Sequence, residues 1–294
     1  MKPTLNSQAT ATDDARRDYL TQQYNTRANA ALAESTLARW TASAALTRRR
    51  QACVLDLPCG ESAAERVDYF PCAKRNAPLL IFIHGGWWRF LDKRDFSWVA
   101  VSFTEAGFNV ALTNYDLCPR VSLTTIVEQT LRAVAYLYSQ SETLDFDPQQ
   151  IHIAGHSAGG HLAAMMAAAD WSAYQAGMPK QLFKTGQLIS GLFDLEPLTQ
   201  MPAVQADLRL SATELHTCSP LSYAAPSSVL RAWAGGAESD EFARQSALIC
   251  SHWGKQGADI SGMPNAGLTH FTVMDAWCDP EHALHQAALA LMRA

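Results

Sequence analysis

The pentapeptide Gly155-His156-Ser157-Ala158-Gly159 carries the strongest chemical signal in this chain of 294 residues. It follows the apolar run Ile151-His152-Ile153-Ala154 and precedes the Ala-rich segment Gly160 to Ala169, so the pattern predicts strand, tight turn and helix. Small residues on either side of a serine let the backbone turn sharply enough to lift its hydroxyl clear of a sheet, the geometry of a nucleophile elbow. A helix starting just behind the serine also favours negative charge developing there. Gly-x-Ser-x-Gly arises often by chance, and its placement between strand and helix gives it weight.

A second, independent motif is His84-Gly85-Gly86-Trp87-Trp88, directly after the apolar run Leu79-Leu80-Ile81-Phe82-Ile83. Glycines there let backbone N–H groups approach a substrate oxygen. The loop from Gly85 through Gly86 to Trp87, with the N–H of Ala158, is thus the expected oxyanion hole. A serine hydroxyl is a weak nucleophile near neutral pH and needs a histidine base. His270, in Leu268-Thr269-His270-Phe271-Thr272-Val273, falls after the last expected strand, where the order serine, acid, histidine puts it. His216, His252, His282 and His285 sit in or beside polar stretches and read as solvated. His161, one helical turn after Ser157, and His152, inside a strand, read as structural. The acid follows the expected strand Val229 to Ala234, where Gly235-Gly236-Ala237-Glu238-Ser239-Asp240-Glu241-Phe242 offers Glu238 and Asp240. Glu238 is nearer the strand end, hence more rigidly held, and leads.

These residues need a sheet to present them. Short apolar runs alternating with helical stretches, from Leu79 through Phe108-Asn109-Val110-Ala111-Leu112, Ile151 to Ala154, a strand within Leu182 to Ser190, Val229 to Ala234 and Asp259 to Met263, predict an α/β fold. With the two motifs, the class is the α/β-hydrolase fold: a mostly parallel central sheet, helices on both faces and Ser157 as nucleophile. Cys53 to Leu57 and Arg66 to Phe70 predict an opening hairpin. Residues 1–50 read as an N-terminal helical extension and 51–294 as the hydrolase domain. The Pro-dotted, irregular stretch Asp194 to Pro226 reads as a cap-like insertion.

The formal net charge of −5 comes from both signs mixed along the chain, with Arg48-Arg49-Arg50 the one basic cluster. This argues against nucleic acid or an anionic membrane as partner. Lys2 is followed by polar sequence through Asp14, unlike a secretory leader, and no run of about 18 apolar residues occurs, so the expected setting is cytoplasmic. The seven cysteines are scattered without a CxxC pair and read as free thiols rather than a disulfide framework or zinc site. No metal or organic cofactor is expected, and if the chain self-associates, a homodimer is.

Several runs resemble arylformamidases, also called kynurenine formamidases, and their bacterial esterase-like relatives. They are Tyr24-Asn25-Thr26-Arg27, His84 to Trp88, Asn114-Tyr115-Asp116-Leu117-Cys118-Pro119, Gly155 to Leu162, Ser190-Gly191-Leu192-Phe193-Asp194-Leu195-Glu196-Pro197-Leu198, Glu238 to Phe242 and His270-Phe271-Thr272-Val273. The resemblance spans most of the chain. It implies an acid at Glu238, often aspartate in the family, and departs again at Trp87, where the animal enzymes have tyrosine. Two substrate classes follow: an N-formyl arylamide such as N-formylkynurenine, or short-chain and aryl carboxylic esters, with Trp87 and Trp88 offering flat surfaces to an aromatic leaving group. A non-catalytic binding protein of this fold would not need so complete a set of groups.

Overall fold

The computed structural model describes residues 5–28 and 30–294. Lys2, part of the start that reads as lacking a leader, lies outside them. Eight strands form one sheet: β1 (Val54–Pro58), β2 (Arg66–Phe70), β3 (Ala77–Ile83), β4 (Asn109–Thr113), β5 (Phe146–His156), β6 (Thr185–Ile189), β7 (Val229–Gly235) and β8 (Ile260–Asn265). Their order is β1-β2-β4-β3-β5-β6-β7-β8. The opening hairpin pairs antiparallel, as does β2 with β4, and every later pair is parallel. β4 and β6 are buried along their whole length because both faces are covered, which explains their unalternating apolar runs.

The helices are α1 (Leu5–Gln23), α2 (Ala30–Arg50), α3 (Ala100–Glu105), α4 (Leu123–Ser139), α5 (Ala158–Ala168), α6 (Trp171–Tyr174), α7 (Glu196–Thr199), α8 (Pro202–Leu208), α9 (Ala212–Thr217), α10 (Asp240–Gly254), α11 (Thr272–Cys278) and α12 (Ala283–Arg293). Two apolar layers result. Leu20 and Tyr24 pack with α4, α5 and α10 on one, and Trp40 with α3, α11 and α12 on the other. α4 shows why: Ile126, Thr130, Val134 and Leu137 recur at helical spacing and are buried, and the Ser122 hydroxyl caps its start by accepting from Thr125 N. The stretch from Asp194 to Pro226, read as irregular, instead folds into α7, α8, α9 and a 3₁₀ turn at Pro220–Ser222. Leu195, Leu198, Leu208 and Cys218 sink into the same layer as α5, and this burial organises the segment.

The histidines sort by burial. His152 Nδ1 lies 2.9 Å from Thr185 Oγ1 within the sheet, and His161 Nε2 donates to the Cys218 carbonyl at 2.6 Å, tying α5 to the end of α9. His285, expected in solvent, is buried: α12 turns it inward, where its Nδ1 donates to Trp277 O at 2.8 Å. All seven cysteines are unpaired, and among the described residues no helix is long and apolar enough to cross a membrane.

Burial pushes both His152 and His161 down to about 4. A folded-state pKa below the unfolded value means the unfolded chain binds more protons under about pH 6.5, so stability falls as pH drops from there through about 4. Each such histidine contributes up to ~1.4 kcal/mol per pH unit in that window. We expect His161→Gln, which can still donate to Cys218, to flatten the fall of the urea midpoint between pH 7 and 4.5. Equal slopes in variant and parent would contradict a neutral buried His161.

Candidate active site

Ser157 sits between β5 and α5 at φ 57°, ψ −120°, a conformation that costs a non-glycine residue about 1–3 kcal/mol and persists only when its surroundings impose it. Two glycines impose it here. A Cβ at Gly159 would come within 2.0 Å of Ile83 O, and one at Gly155 within 2.0 Å of Gly159 O, so the turn can press against the end of β3 only with hydrogen at both positions. The Ser157 N–H donates to Ile189 O at 2.8 Å, fixing the turn to β6 as well.

His270 lies in the loop between β8 and α11. Its Nδ1 donates to Glu238 Oε2 at 2.7 Å, and the Glu238 side chain is only 1% exposed. That bond leaves Nε2 as the free basic nitrogen. Glu238 Oε1 accepts from Ser190 Oγ and from Gly235 N, each at 2.6 Å, so three donors hold one carboxylate. Asp240 is exposed at the start of α10. The two loops are tied by Gly236 N to Asn265 O at 2.7 Å and Ala237 N to Leu268 O at 2.9 Å. His156 adds a further brace. Its Nε2 donates to the His270 carbonyl at 2.8 Å, and burial, then the nearby His270 ring, pushes its pKa well down and keeps it neutral. Neither Ser190 nor His156 was marked by sequence spacing; Ser190, at φ 48° directly after β6, repeats the pattern of a strained residue at a strand end.

The loop after β3 has the conformation of a strained donor array. Gly86 is at φ 114°, where a Cβ would meet Phe90 O at 2.1 Å, and Trp87 and Trp88 follow at 57° and 55°. Among the described residues nothing accepts from the N–H of Gly86 or Trp87. His84, buried and stacked on Tyr115 with ring centroids 4.3 Å apart, donates from Nδ1 to the Gly85 carbonyl at 2.7 Å. Trp87 is half-buried beside Ser157. Trp88, expected at the substrate, is turned away: fully buried, it packs edge-on against His161 with ring centroids 5.0 Å apart. Consecutive left-handed residues point these two indoles apart, which a sequence cannot reveal.

Gly85, Gly86, Trp87, Ser157 and His270 line one cavity of about 40 Å³. A larger cavity, about 430 Å³, opens beside it and shares Thr26, His270 and Phe271. The outer walls come from the N-terminal segment: Thr26, Arg27, Leu37 and Trp40 around the smaller cavity, and Gln22, Gln23, Asn25 and Leu32 among those around the larger. No described residue of the 194–226 stretch lines either one, because its apolar side chains are committed to the core.

A serine on a strained elbow, a carboxylate-bound imidazole, free backbone donors and a sheet of this order define an α/β-hydrolase. Known proteins agree. The BD-FAE family matches residues 69–206. Kynurenine formamidase of Danio rerio is 27% identical over 81% of this chain and 82% of its own. Esterase LipQ of Mycobacterium tuberculosis is 34% identical over 41% of this chain and 30% of its own length. A solved structure from Silicibacter sp. TM1040, provisionally named a thioesterase, superposes with TM-score 0.81 at 29% identity, covering 93% of this chain and 98% of its own. The chain is a hydrolytic enzyme of the α/β-hydrolase fold, similar to kynurenine formamidases and to esterases.

The geometry ranks the carboxylates. Glu238→Gln should lower kcat by about 10³-fold or more, Ser190→Ala by about tenfold through the loosened carboxylate, and Asp240→Asn by less than about twofold. Purified variants assayed on phenyl acetate give the ranking; a mild Glu238→Gln beside a severe Asp240→Asn would reverse the assignment.

Proposed function

We propose that the enzyme transfers short acyl groups from aromatic leaving groups to water, with N-formyl arylamides of the N-formylkynurenine type as the substrate class. Ser157 Oγ attacks the carbonyl carbon while His270 Nε2 takes its proton and Glu238 steadies the resulting imidazolium. The oxyanion accepts from the N–H groups of Gly86, Trp87 and Ala158. His270 then protonates the departing amine or alcohol, and water releases the acyl group by the same route.

The observation that carries this reading is the cavity that Ser157 and His270 share. At about 40 Å³ it is a small space, suited to a short acyl group such as formyl or acetyl rather than to a long chain. The aromatic faces around it, and the kynurenine formamidase relative, favour an aryl leaving group. A short-chain aryl esterase is the second reading, favoured by the likeness to LipQ and by chemistry, since phenoxide leaves more readily than an arylamine. Seven unpaired cysteines support a reducing, cytoplasmic setting.

Ser157→Ala should lower hydrolysis by about 10⁴-fold or more with the unfolding midpoint retained. Substantial turnover by that variant would remove the mechanism. Nitrophenyl acetate should be hydrolysed far faster than the decanoate, with Trp87→Ala shifting the preference toward longer chains. A profile rising steadily with chain length would refute the small acyl site. Turnover of N-formylkynurenine then separates the two readings: esterase activity without it leaves the aryl esterase standing.

A further inference from the structure

The imidazole of His270 is packed among other rings, and the mechanism as written gives them no part. Among the described residues its charged partner is Glu238, at one edge of the ring, through Nδ1. The centre of the Phe242 ring lies 4.6 Å from that of His270 at an interplanar angle of 42°, and the His156 ring lies at the same 4.6 Å and 43°. Both separations fall at the near end of the range for ring pairs. Phe242 is buried in the first turn of α10, where Tyr24 of the N-terminal segment meets it at 5.6 Å and a steep angle. Apolar packing alone would accept an aliphatic side chain at position 242. A ring offers something more once His270 takes a proton. The His270 side chain is only 8% exposed, so the imidazolium gains its charge with little water to solvate it.

We propose that Phe242 is a positioning residue for His270: its ring seats the imidazole beside His156 and stabilises the positive charge the imidazole carries during acyl transfer. The proposal rests on His270 being the base that takes the Ser157 proton. The face of an aromatic ring carries negative charge density and attracts a cation within about 6 Å of its centre, most strongly where water is excluded. Phe242 thus supplies, through the ring, what Glu238 supplies at the edge. His156 adds no competing charge, because burial and then the nearby His270 push its pKa well down and leave a neutral ring in contact. Glu238 and His156 are the titratable groups set against the imidazole, one on the loop after β7 and one at the end of β5.

The test compares Phe242→Leu, which loses the ring, with Phe242→Tyr, which keeps it. On phenyl acetate, kcat of Phe242→Leu should fall about tenfold with KM within about twofold of the parent, and Phe242→Tyr should recover most of the loss. A rise in KM at unchanged kcat would make Phe242 only a wall of the larger cavity, which it also lines, and would overturn the proposal. A loosened imidazole also lowers kcat, so the acid limb of kcat/KM decides between packing and charge. Removing a group that favours the protonated ring should move that limb to lower pH, by up to about one unit. An unmoved limb in Phe242→Leu would reduce the ring to packing. The NMR titration of the His270 ring protons, assigned by their loss in His270→Gln, reads the same contact without turnover: it should move to lower pH in Phe242→Leu and stay in place in Phe242→Tyr. If His270→Gln hydrolyses phenyl acetate at the parent rate, the mechanism fails while the titration still decides the role of Phe242. Should Phe242→Leu not fold, Phe242→Met carries the same comparison.

Discussion

Everything at the site depends on how closely the turn around Ser157 approaches the end of β3. With hydrogen in place of a side chain at Gly159, α5 begins against the carbonyls of Ile83 and His84. That contact does two things. It forces Ser157 into its left-handed conformation, and it brings the start of α5 beside the loop carrying Gly86 and Trp87, which lines the same cavity as Ser157. A methyl group at position 159 would have to push β3 and α5 apart by about an ångström or more, and the elbow and the loop packed beside it would be lost together. Catalytic preorganisation of this kind is a packing property before it is an electrostatic one.

The same end of the sheet gathers the other groups. β3, β5, β6, β7 and β8 run parallel, so their C-terminal ends deliver the loop of Gly85 to Trp87, Ser157, Ser190, Glu238 and His270 to one edge. Loops leaving parallel strands are free to diverge, and short bonds prevent it: His156 to the His270 carbonyl, and the paired backbone bonds between the β7 and β8 loops. The N-terminal segment closes the edge from outside. Its anchor is Tyr24, whose hydroxyl burial keeps neutral; it donates to Glu241 Oε2 at 2.9 Å and accepts from Gln245 Nε2 at 2.8 Å. Gln245 in turn accepts from the N–H groups of Phe193 and Asp194, so the strap carrying Thr26 and Arg27 is tied to α10 and to the loop after β6. Trp40 makes the second attachment through Asp275 Oδ1 at 2.8 Å, on the helix that follows His270.

The strands and the motifs proposed for the site could be read from the chain because each leaves a local mark: an apolar run, then glycines, then a helix. Glu238 over Asp240 followed from distance to a strand end, a rule about rigidity. What stayed hidden depends on direction or on partners far away in sequence. Trp87 and Trp88 are neighbours of identical type, and only the backbone angles decide that one faces the cavity and the other His161. His285 looked solvated in its polar surroundings because its burial comes from Phe103, remote along the chain, and from Trp277 on the preceding helix. The segment from Asp194 to Pro226 looked like a cap since prolines punctuate it, yet those prolines open short helices at Pro202 and Pro220 whose apolar faces belong to the core.

Glutamate at position 238 fits this framework better than the common aspartate would. Its extra methylene carries the carboxylate past the end of β7 far enough to reach Ser190 as well as His270, and the added rotatable bond is restrained by the Gly235 N–H on the same oxygen that accepts from Ser190. One oxygen therefore binds the scaffold and the other binds the imidazole of His270. Because the two oxygens are fixed to one plane, the hydrogen bonds on Oε1 set the angle at which Oε2 meets His270 Nδ1. The orientation of the imidazole is thereby determined by β6 and β7 rather than by the mobile end of a long side chain. Ser190 sits in its strained conformation at the end of β6 for that reason, and its N–H is held by the Trp233 carbonyl at 2.6 Å, so strain in the sheet edge and order in the Glu238 carboxylate are the same structural fact.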